Sequence, residues 1–400
     1  MKIEPLNITS TEEARKLIAS IGAHPASVEH MAKKGIYLHF RLRKCPFYIA
    51  NILKQEALSI GAELAVHSEV VTAKVKYTDC ILMGDINRLL TLSSKLKSQS
   101  FRELHKLGEK LKVFLDNLIA DKLTFKYNDR VVELKNDYLI MGILNVTPDS
   151  FSDGGRYTEP DRALTHVEKM IQEGADIIDI GGESTRPGSL AVDEDEELRR
   201  IIPVIEAVKK RFDVVVSVDT YKATVAKEAL EIGVEIINDI SGFGFDEKMV
   251  DTLAGYSCGI IAMHIKGKPH NMQKNTNYEC LLCEINETFE SILEKAHDAG
   301  IESERIVLDP GIGFGKSFAA NLSILKHLKA FKVWGRPILI GTSRKSFIGH
   351  FLNIEDPLKR LNGTIASNVI AYLNGASIFR VHDVAQNREA LELTRQLLSV

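Results

Sequence analysis

The sequence predicts an α/β protein, a (β/α)8 TIM barrel preceded by a small N-terminal α/β domain. From about residue 138 onward, a short apolar strand, a loop with Gly, Asp or Ser and an amphipathic helix follow one another eight times. Strands that are apolar on both faces and alternate with helices indicate a parallel sheet covered by helices. Eight such units in about 260 residues match the size of a closed barrel. An open doubly wound sheet is the alternative, but no dinucleotide fingerprint loop accompanies the strands, so the regular repeat favours closure.

The eight predicted barrel strands share short runs of β-branched and other apolar residues. They read YLIMGILNV, ADIIDIGG, VVVSVDT, EIINDISG, GIIAMHI, RIVLDPG, PILIGTS and SIFRVHD. Helices are predicted between them where apolar residues recur at three- and four-residue spacing. The predicted helices include residues 161–173, 195–211, 222–232 and 278–299.

Residues 1–122 are predicted to form the separate N-terminal domain, and no motif in them indicates a role. GIYLHFRLR, AELAVH and CILMGD are typical of strands, and the predicted helices cover residues 46–60, 86–96 and 101–119. The barrel domain, residues 123–400, opens with the segment LTFKYNDRVVELKND. This segment predicts a hairpin that turns at Asn128 and Asp129 and closes the bottom of the barrel.

Composition excludes several classes of partner. The chain of 400 residues is 44% hydrophobic and 26% charged, as in an ordinary soluble protein, and its formal net charge is −3. That charge predicts no nucleic-acid partner and no membrane partner. No apolar run of about 18 residues occurs, and MKIEPLNITSTEEARK lacks the apolar region of a signal peptide. We therefore expect a cytoplasmic protein.

The cysteines do not suggest a disulfide framework. There are five of them, an odd number, and Cys280 and Cys283 form one C-x-x-C pair. No second pair or nearby histidine cluster completes a zinc site. We therefore expect ordinary helix thiols at these two positions.

The stretch DPGIGFGKS, residues 309–317, is superficially similar to a phosphate-binding P-loop. In that pattern the first glycine would stand at position 310, where the sequence has Pro310. The P-loop coordinates phosphate with backbone N–H groups, and proline has none. The interpretation of this stretch, including Lys316 and Ser317, therefore depends on its surroundings.

Every predicted barrel strand ends in polar residues, which are unusual in a barrel interior. These are Asn145, residues 183–186, Asp219, Asn238, His264, Asp309, Ser343 with Lys345, and Arg380 with His382. Acceptors such as Asp309 can bind a flat, donor-rich ring, and the cationic side chains suit an anion such as phosphate. No Ser/His/Asp order or metal-binding histidine pair stands out. These residues alone predict a barrel enzyme for a polar ring that bears an anionic group.

At these positions the sequence resembles the dihydropteroate synthase family, one motif in each barrel unit. The resemblance covers roughly residues 123–400. The motifs are MGILNVTPDSFSDGG, DIIDIGGESTRPGS, SVDT, INDISG, MHIKGKPHNMQ, LDPGIGFGKS, GTSRKSFIG and RVHDV. The resemblance implies a transferase of folate biosynthesis, the sulfonamide target. Such an enzyme condenses 6-hydroxymethyl-7,8-dihydropterin diphosphate with p-aminobenzoate to dihydropteroate and diphosphate, and is a homodimer.

The resemblance also implies roles for individual residues. Asp219, Asn238, Asp309 and Lys345 would hold the dihydropterin, with Met263 lining the pocket and Arg380 packing on the ring. The diphosphate would face Asn145, Arg380 and His382, with Mg2+ bridging it to Asn145. The p-aminobenzoate site would be shaped by Thr185, Arg186, Pro187, Phe314 and Ser346. Ser343 is included among the substrate-binding residues, whereas Lys316 and Ser317 would be mostly loop and helix-start residues.

The implied reaction needs leaving-group charge neutralised and a pterin-methyl cation stabilised, and little from a general base. Asp219, Lys345, Arg380 and His382 are the residues that we expect to be catalytic. Two mobile loops are implied, one around Phe151 and one in ESTRPGS.

Two other functions remain open at this point. A methyltetrahydrofolate-corrinoid methyltransferase shares a pterin-binding barrel, but ESTRPGS, SRKSF and RVHDV resemble diphosphate and p-aminobenzoate sites. A non-catalytic pterin-binding protein is disfavoured because the full set of polar residues is present.

Overall fold

A computed structural model describes residues 3–147, 159–184, 188–189 and 191–399. The chain divides into two units: Met1–Ala120 with Val333–Gly335, and Asp121–Lys332 with Arg336–Val400. The division falls close to the boundary that the sequence predicted.

The N-terminal unit is a three-stranded antiparallel sheet with helices. Its strands lie in the order β1-β3-β2. The elements are α1 (Thr11–Ser20), α2 (Pro25–Lys34), β1 (Tyr37–Pro46), α3 (Phe47–Leu58), β2 (Glu63–Ala65), β3 (Tyr77–Asp85), α4 (Ile86–Lys97) and α5 (Arg102–Ile119). The strands and the helices α3, α4 and α5 were predicted from the sequence, whereas α1 and α2 were not. Leu53, Leu82 and Leu92 belong to the apolar core of this unit.

The second unit contains a hairpin and an eight-stranded parallel sheet. The hairpin is β4 (Thr124–Tyr127) and β5 (Arg130–Glu133). The strands of the sheet are β6 (Leu139–Asn145), β7 (Ile177–Gly181), β8 (Val215–Asp219), β9 (Ile236–Asp239), β10 (Gly259–Met263), β11 (Ile306–Asp309), β12 (Leu339–Ile340) and β13 (Ile378–Val381). The helices are α6 (Glu159–Gln172), α7 (Glu194–Arg211), α8 (Ala223–Glu231), α9 (Met249–Ala254), α10 (Leu281–Asp298), α11 (Phe318–Lys326), α12 (Ser346–Leu352), α13 (Leu361–Leu373) and α14 (Val384–Ser399). All eight predicted barrel strands are confirmed.

The sheet closes into a barrel at its shortest strand. The strand order is β11-β10-β9-β8-β7-β6-β13-β12. β12 has only two residues, but a parallel bridge joins Leu308 to Ile338 just before it. The backbone N–H of Leu308 also donates to the carbonyl oxygen of Pro337 at 3.0 Å. These contacts join the two outermost strands of the order, as a (β/α)8 barrel requires.

The hairpin packs under the barrel as predicted. β4 and β5 pair antiparallel from Thr124 with Glu133 to Tyr127 with Arg130, which places the turn at Asn128 and Asp129. Phe125 is fully buried among side chains from the amino ends of the barrel strands. These are Met141, Ile177, Val215, Ile236, Ile261, Val307, Leu339 and Ile378. One apolar side chain from each strand therefore closes this end.

Cys280 and Cys283 form a disulfide, so the expectation of ordinary thiols is wrong. Cys280 is the residue before α10 and Cys283 lies in its first turn. One helical turn brings their Cα atoms to 5.2 Å, within the range that a disulfide spans. Counting cysteines missed this pairing because it depends on the local start of a helix. No described helix is long and apolar enough to cross a membrane.

Candidate active site

The parallel barrel brings the polar strand ends together at one rim. Asp219 is the last residue of β8 and pairs in register with Asn238 of β9. Met263 ends β10 and pairs with Asp309, which ends β11. All four side chains are buried. Residues separated by 19 and 46 positions in the chain thus become neighbours, because each strand ends on the same side of the sheet.

A partly buried guanidinium between two buried carboxylates occupies the rim. The Nε of Arg380 donates to Asp179 Oδ2 at 2.6 Å, and its second terminal nitrogen donates to Asp219 Oδ2 at 2.8 Å. Asn238 also donates to Asp179, at 3.2 Å. Charges this deeply buried require partners of opposite sign, and each carboxylate has one here.

Asp179 was not among the predicted site residues. It is completely buried in β7, and its Oδ1 has no hydrogen-bond partner among the described residues. The available signal was an aspartate inside the otherwise apolar run ADIIDIGG, where a strand interior gives no local reason for a charge.

Burial shifts the pKa values of the rim groups. Desolvation, opposed by Arg380, raises the pKa of Asp219 to about 7. Burial also raises the pKa of Asp309, although the backbone N–H of Gly311 opposes it. For Lys345, burial lowers the pKa to about 8, against the attraction of Asp309. Desolvation works against the charge of Arg380, but Asp179 and Asp219 raise its pKa above the ordinary value. The rim therefore holds groups that can change charge near neutral pH.

The loop after β11, residues 310–316, is held by side chains from several other segments. Asp309 Oδ1 accepts from the N–H of Gly311 at 2.7 Å, and Lys345 donates to the carbonyl oxygen of Ile312. Both backbone polar groups of Gly313 are bound by other side chains: its N–H donates to Asn321 at 2.7 Å, and its carbonyl accepts from Gln273 at 2.7 Å. The loop is thus a fixed wall of the site.

Within this loop the structure corrects the interpretation of Lys316. Ser317 is the N-cap of α11, as predicted, and accepts from the N–H of Ala320. Lys316, in contrast, is 2% exposed and contacts His264 and Phe314. A lysine after a glycine-rich loop gives no local sign of burial.

The other side of the rim is formed by the segments after β12 and β13. Ser343 Oγ and His382 Nδ1 are 2.9 Å apart, and the backbone N–H of His382 donates to Ser343 Oγ at 3.1 Å. Lys345 is the N-cap residue of α12, so Ser346 is its first residue. The Nζ of Lys345 lies 4.4 Å from the centroid of the half-buried Phe314 ring, a cation–π distance.

Some predicted site residues lie outside the described residues. These are Thr185, Arg186 and Pro187 of the second loop and Phe151 of the first. Asn145 is described: it ends β6, is half-buried, and pairs in register with Gly181 of β7. No group of three or more His, Cys, Asp or Glu side chains suited to a metal ion occurs in the described part of the chain.

Comparison with known proteins identifies the family. Residues 141–382, more than half of the chain, match the family model described as pterin binding enzyme. The dihydropteroate synthase of Clostridium beijerinckii is 49% identical over 256 residues, which are 64% of this chain and 92% of that protein. The chain belongs to the dihydropteroate synthase family.

Two solved dihydropteroate synthases share the fold. The Yersinia pestis enzyme, solved with a sulfonamide drug, has a TM-score of 0.65 and 43% identity, and the match covers 69% of this chain and 100% of that chain. The Xanthomonas albilineans enzyme, solved with 4-aminobenzoic acid, has a TM-score of 0.66 and 38% identity, with 70% and 99% covered. As a dihydropteroate synthase family member the chain is a transferase of folate synthesis, which decides against the methyltransferase alternative. The family match begins at residue 141 and carries no information on the N-terminal unit.

A second buried cluster of this dihydropteroate synthase family member lies beside the rim, and the sequence analysis included Glu183 as a polar strand end but not the residues that contact it. Lys222 donates to Glu183 at 2.7 Å and to Glu197, and Tyr221 donates to Glu183 at 3.0 Å. Glu183 further accepts from the N–H of Val192 at 3.2 Å. Glu183 thus joins the segment after β7 to the segment after β8, which directly follows Asp219.

Proposed function

We propose that the rim binds 6-hydroxymethyl-7,8-dihydropterin diphosphate and p-aminobenzoate and joins them into dihydropteroate. The observation that carries this assignment is the group of Asp219, Asn238 and Asp309, which are buried, with the partly buried Lys345 at neighbouring strand ends. A dihydropterin ring presents adjacent N–H groups and ring acceptors along its edge. Two carboxylates, one amide and one amine supply complementary acceptors and donors.

The carboxylates of the pterin site, Asp219 and Asp309, are buried and therefore desolvated. A bound ring that donates to Asp219 and Asp309 replaces the water that these groups lack, which favours their charged forms. Met263 is buried at the end of β10 and offers an apolar wall. Arg380, held by Asp179 and Asp219, supplies a flat cation next to the ring.

The diphosphate is assigned to the side of the rim with Asn145, Arg380 and His382. The amide oxygen of Asn145 suits Mg2+, a hard cation that prefers oxygen ligands. Because the described residues offer no acidic cluster, most of the ligands of Mg2+ would come from the diphosphate and water. Bound there, Mg2+ would neutralise charge on the leaving group.

The reaction then needs few proton transfers from the protein. The C–O bond between the pterin methylene and the diphosphate breaks, and its electron pair leaves with the diphosphate. Arg380 and His382 face that departing charge, while the carboxylate of Asp219 stabilises the pterin-methyl cation. The amine of p-aminobenzoate forms the C–N bond and releases its proton. Lys345 holds the pterin edge throughout.

The p-aminobenzoate site is assigned to Phe314, Ser346 and the segment Thr185, Arg186 and Pro187. The half-buried ring of Phe314 can stack on the aromatic amine. Ser346 begins α12, so the backbone N–H groups of that helix start can receive the carboxylate. Binding of 4-aminobenzoic acid and of a sulfonamide by the related enzymes supports the same ligand classes here.

One assay tests the whole assignment. Protein, Mg2+, dihydropterin diphosphate and p-aminobenzoate are mixed, and dihydropteroate and diphosphate are measured. We expect stoichiometric formation of both products and competitive inhibition by a sulfonamide against p-aminobenzoate. Binding of the pterin without turnover would leave a non-catalytic pterin-binding protein as the better description.

We further propose a cytoplasmic homodimer that associates through α11, α12 and α13. These helices pack against one another and expose large apolar side chains. The exposed residues are Phe318, Leu322, Phe351, Leu352, Ile370 and Leu373. Exposed apolar side chains on helices that pack together are typical of an interface. Light scattering should give twice the chain mass, and Leu322→Lys with Ile370→Lys should yield a folded monomer; a monomeric wild type would contradict the proposal.

A further inference from the structure

The side chain of Lys316 has a bonding pattern that the reaction does not explain. Its Nζ lies 2.9 Å from the carbonyl oxygen of Phe314, 3.2 Å from that of His264 and 2.9 Å from His264 Nδ1. Burial lowers the pKa of Lys316 well below its ordinary value, and the amine can donate to the two carbonyl oxygens in either charge state. Burial, with the charge of Lys316, lowers the pKa of His264 to about 2, which leaves its ring neutral. The neutral ring can accept at Nδ1.

Lys316 therefore joins two different segments of the rim. Phe314 belongs to the loop after β11, whereas His264 directly follows β10. The backbone N–H of His264 donates to the carbonyl oxygen of Asp309 at 2.9 Å. Asp309 is thus held by the sheet itself. The carbonyl of Phe314, in contrast, is held by the amine of Lys316.

The space around this amine is closely fitted. Gly311 has a φ of +68°, and a Cβ there would lie 2.0 Å from the carbonyl oxygen of His264 and 3.2 Å from Nζ of Lys316. The loop thus runs directly against the two groups, and only glycine fits. A side chain without an amine at position 316 would leave the two carbonyl oxygens without this donor and let the loop shift.

We propose that Lys316 is a positioning residue that sets the place of the Phe314 ring and thereby the affinity for the aromatic amine. The inference rests on the proposed function, which assigns Phe314 to the p-aminobenzoate site. Because Asp309 keeps its own strand contacts, the dihydropterin site is affected far less. Lys316 acts through Phe314 and contacts neither substrate.

The first test compares Lys316→Met with Lys326→Met, a matched change at an exposed lysine in the last turn of α11. We expect the KM for p-aminobenzoate to rise about tenfold in Lys316→Met, the effect of removing the hydrogen bonds of a buried amine. The KM for dihydropterin diphosphate should stay within about twofold of wild type, because its binding groups remain in place. Equal rises in both constants, or a lowered melting temperature with unchanged constants, would overturn the inference.

The second test changes His264, which contacts Lys316, and it still tests the proposal if Lys316→Met does not fold. His264→Asn retains an acceptor close to the position of Nδ1, and His264→Leu removes it. We expect His264→Asn to keep most of the p-aminobenzoate affinity and His264→Leu to resemble Lys316→Met. In the double variant, the effects of Lys316→Met and His264→Leu on the KM for p-aminobenzoate should be non-additive, because both substitutions break the same contact. Additive effects, or a silent His264→Leu, would refute the proposal.

The assay separates this inference from the proposed function. If wild type and Lys326→Met make no dihydropteroate, the proposed function fails. If both turn over and the KM values of Lys316→Met match theirs, only the positioning role fails.

Discussion

The two ends of the barrel are built from the same eight strands and differ in almost every side chain. In β8, Val215 at the amino end packs in the apolar cluster under the barrel, whereas Asp219 at the carboxyl end contacts Arg380. In β11, Val307 likewise packs in the apolar cluster, whereas Asp309 lies at the carboxyl end. The amino end gains stability from apolar burial. The carboxyl end buries charges at a cost and keeps donors and acceptors for a ligand. The difference shows that stability and binding can be altered separately in this fold.

The largest expected effect is at the amino end. Phe125→Ala should lower the free energy of unfolding by about 3–5 kcal/mol, because a fully buried ring leaves a cavity. Denaturant titration measures the change. Val131→Ala in the same hairpin is the control, since that side chain is 64% exposed. Kinetic constants of the folded Phe125→Ala protein should equal those of wild type, and a changed KM would mean that the two ends are coupled.

The second-largest effect is expected at the carboxyl end, where ligand affinity should change and stability should not. Asp309→Asn replaces an acceptor with a donor that faces the N–H groups of the pterin, so dihydropterin affinity should fall at least about tenfold. The melting temperature should stay within a few degrees of wild type. Calorimetry measures the binding, with Asp213→Asn at a fully exposed carboxylate as control. Unchanged affinity in Asp309→Asn would remove the pterin assignment of this loop.

A smaller effect is expected in the pH dependence of stability. The pKa of Asp219 is about 7 in the folded protein, against an ordinary value of 3.8, so folding favours the protonated form. Stability from this group is complete below about pH 4 and is lost as the pH rises through about 7. Relative to Asp219→Asn, wild type should therefore lose stability over that range. Denaturant titrations across the range test this, and parallel curves for the two proteins would contradict it.

The smallest effect is expected at the disulfide. Cys280 and Cys283 are three positions apart, and so short a loop restricts the unfolded chain little. Replacing both by Ser should lower the melting temperature by no more than a few degrees. Calorimetry with and without a reducing thiol provides the measurement. A large decrease in the melting temperature would show that the disulfide stabilises the whole segment before α10.

Much of the fold could be predicted because it depends on local periodicity. The eight barrel strands appeared as apolar runs, although β12 spans only Leu339–Ile340 where PILIGTS suggested more. The start of α10 was placed too early: the helix begins at Leu281, after Cys280, rather than at position 278. Helices α1 and α2 were missed. Each has ten residues and few buried side chains, so their apolar pattern is weak.

The candidate site was predicted in part, and the omissions share a cause. Asp219, Asn238, Asp309, Lys345 and Arg380 were expected at the rim because each follows an apolar strand. The sequence does not show which of these side chains pair with one another, however. The missed members are Asp179, Lys316 and the cluster around Lys222. Their importance lies in contacts with residues distant in the chain, which periodicity does not encode.

The sequence by itself determined the order of strands and helices, the rim at which polar side chains gather and the family resemblance. These follow from spacing along the chain, since strand ends and helix faces are local properties. Only the tertiary structure decided that Arg380 lies between Asp179 and Asp219, and that the amine of Lys316 is buried against His264. Closing the barrel brings these groups within hydrogen-bond distance and removes their water. Burial and pairing then set their charges, and both depend on neighbours that are distant in sequence.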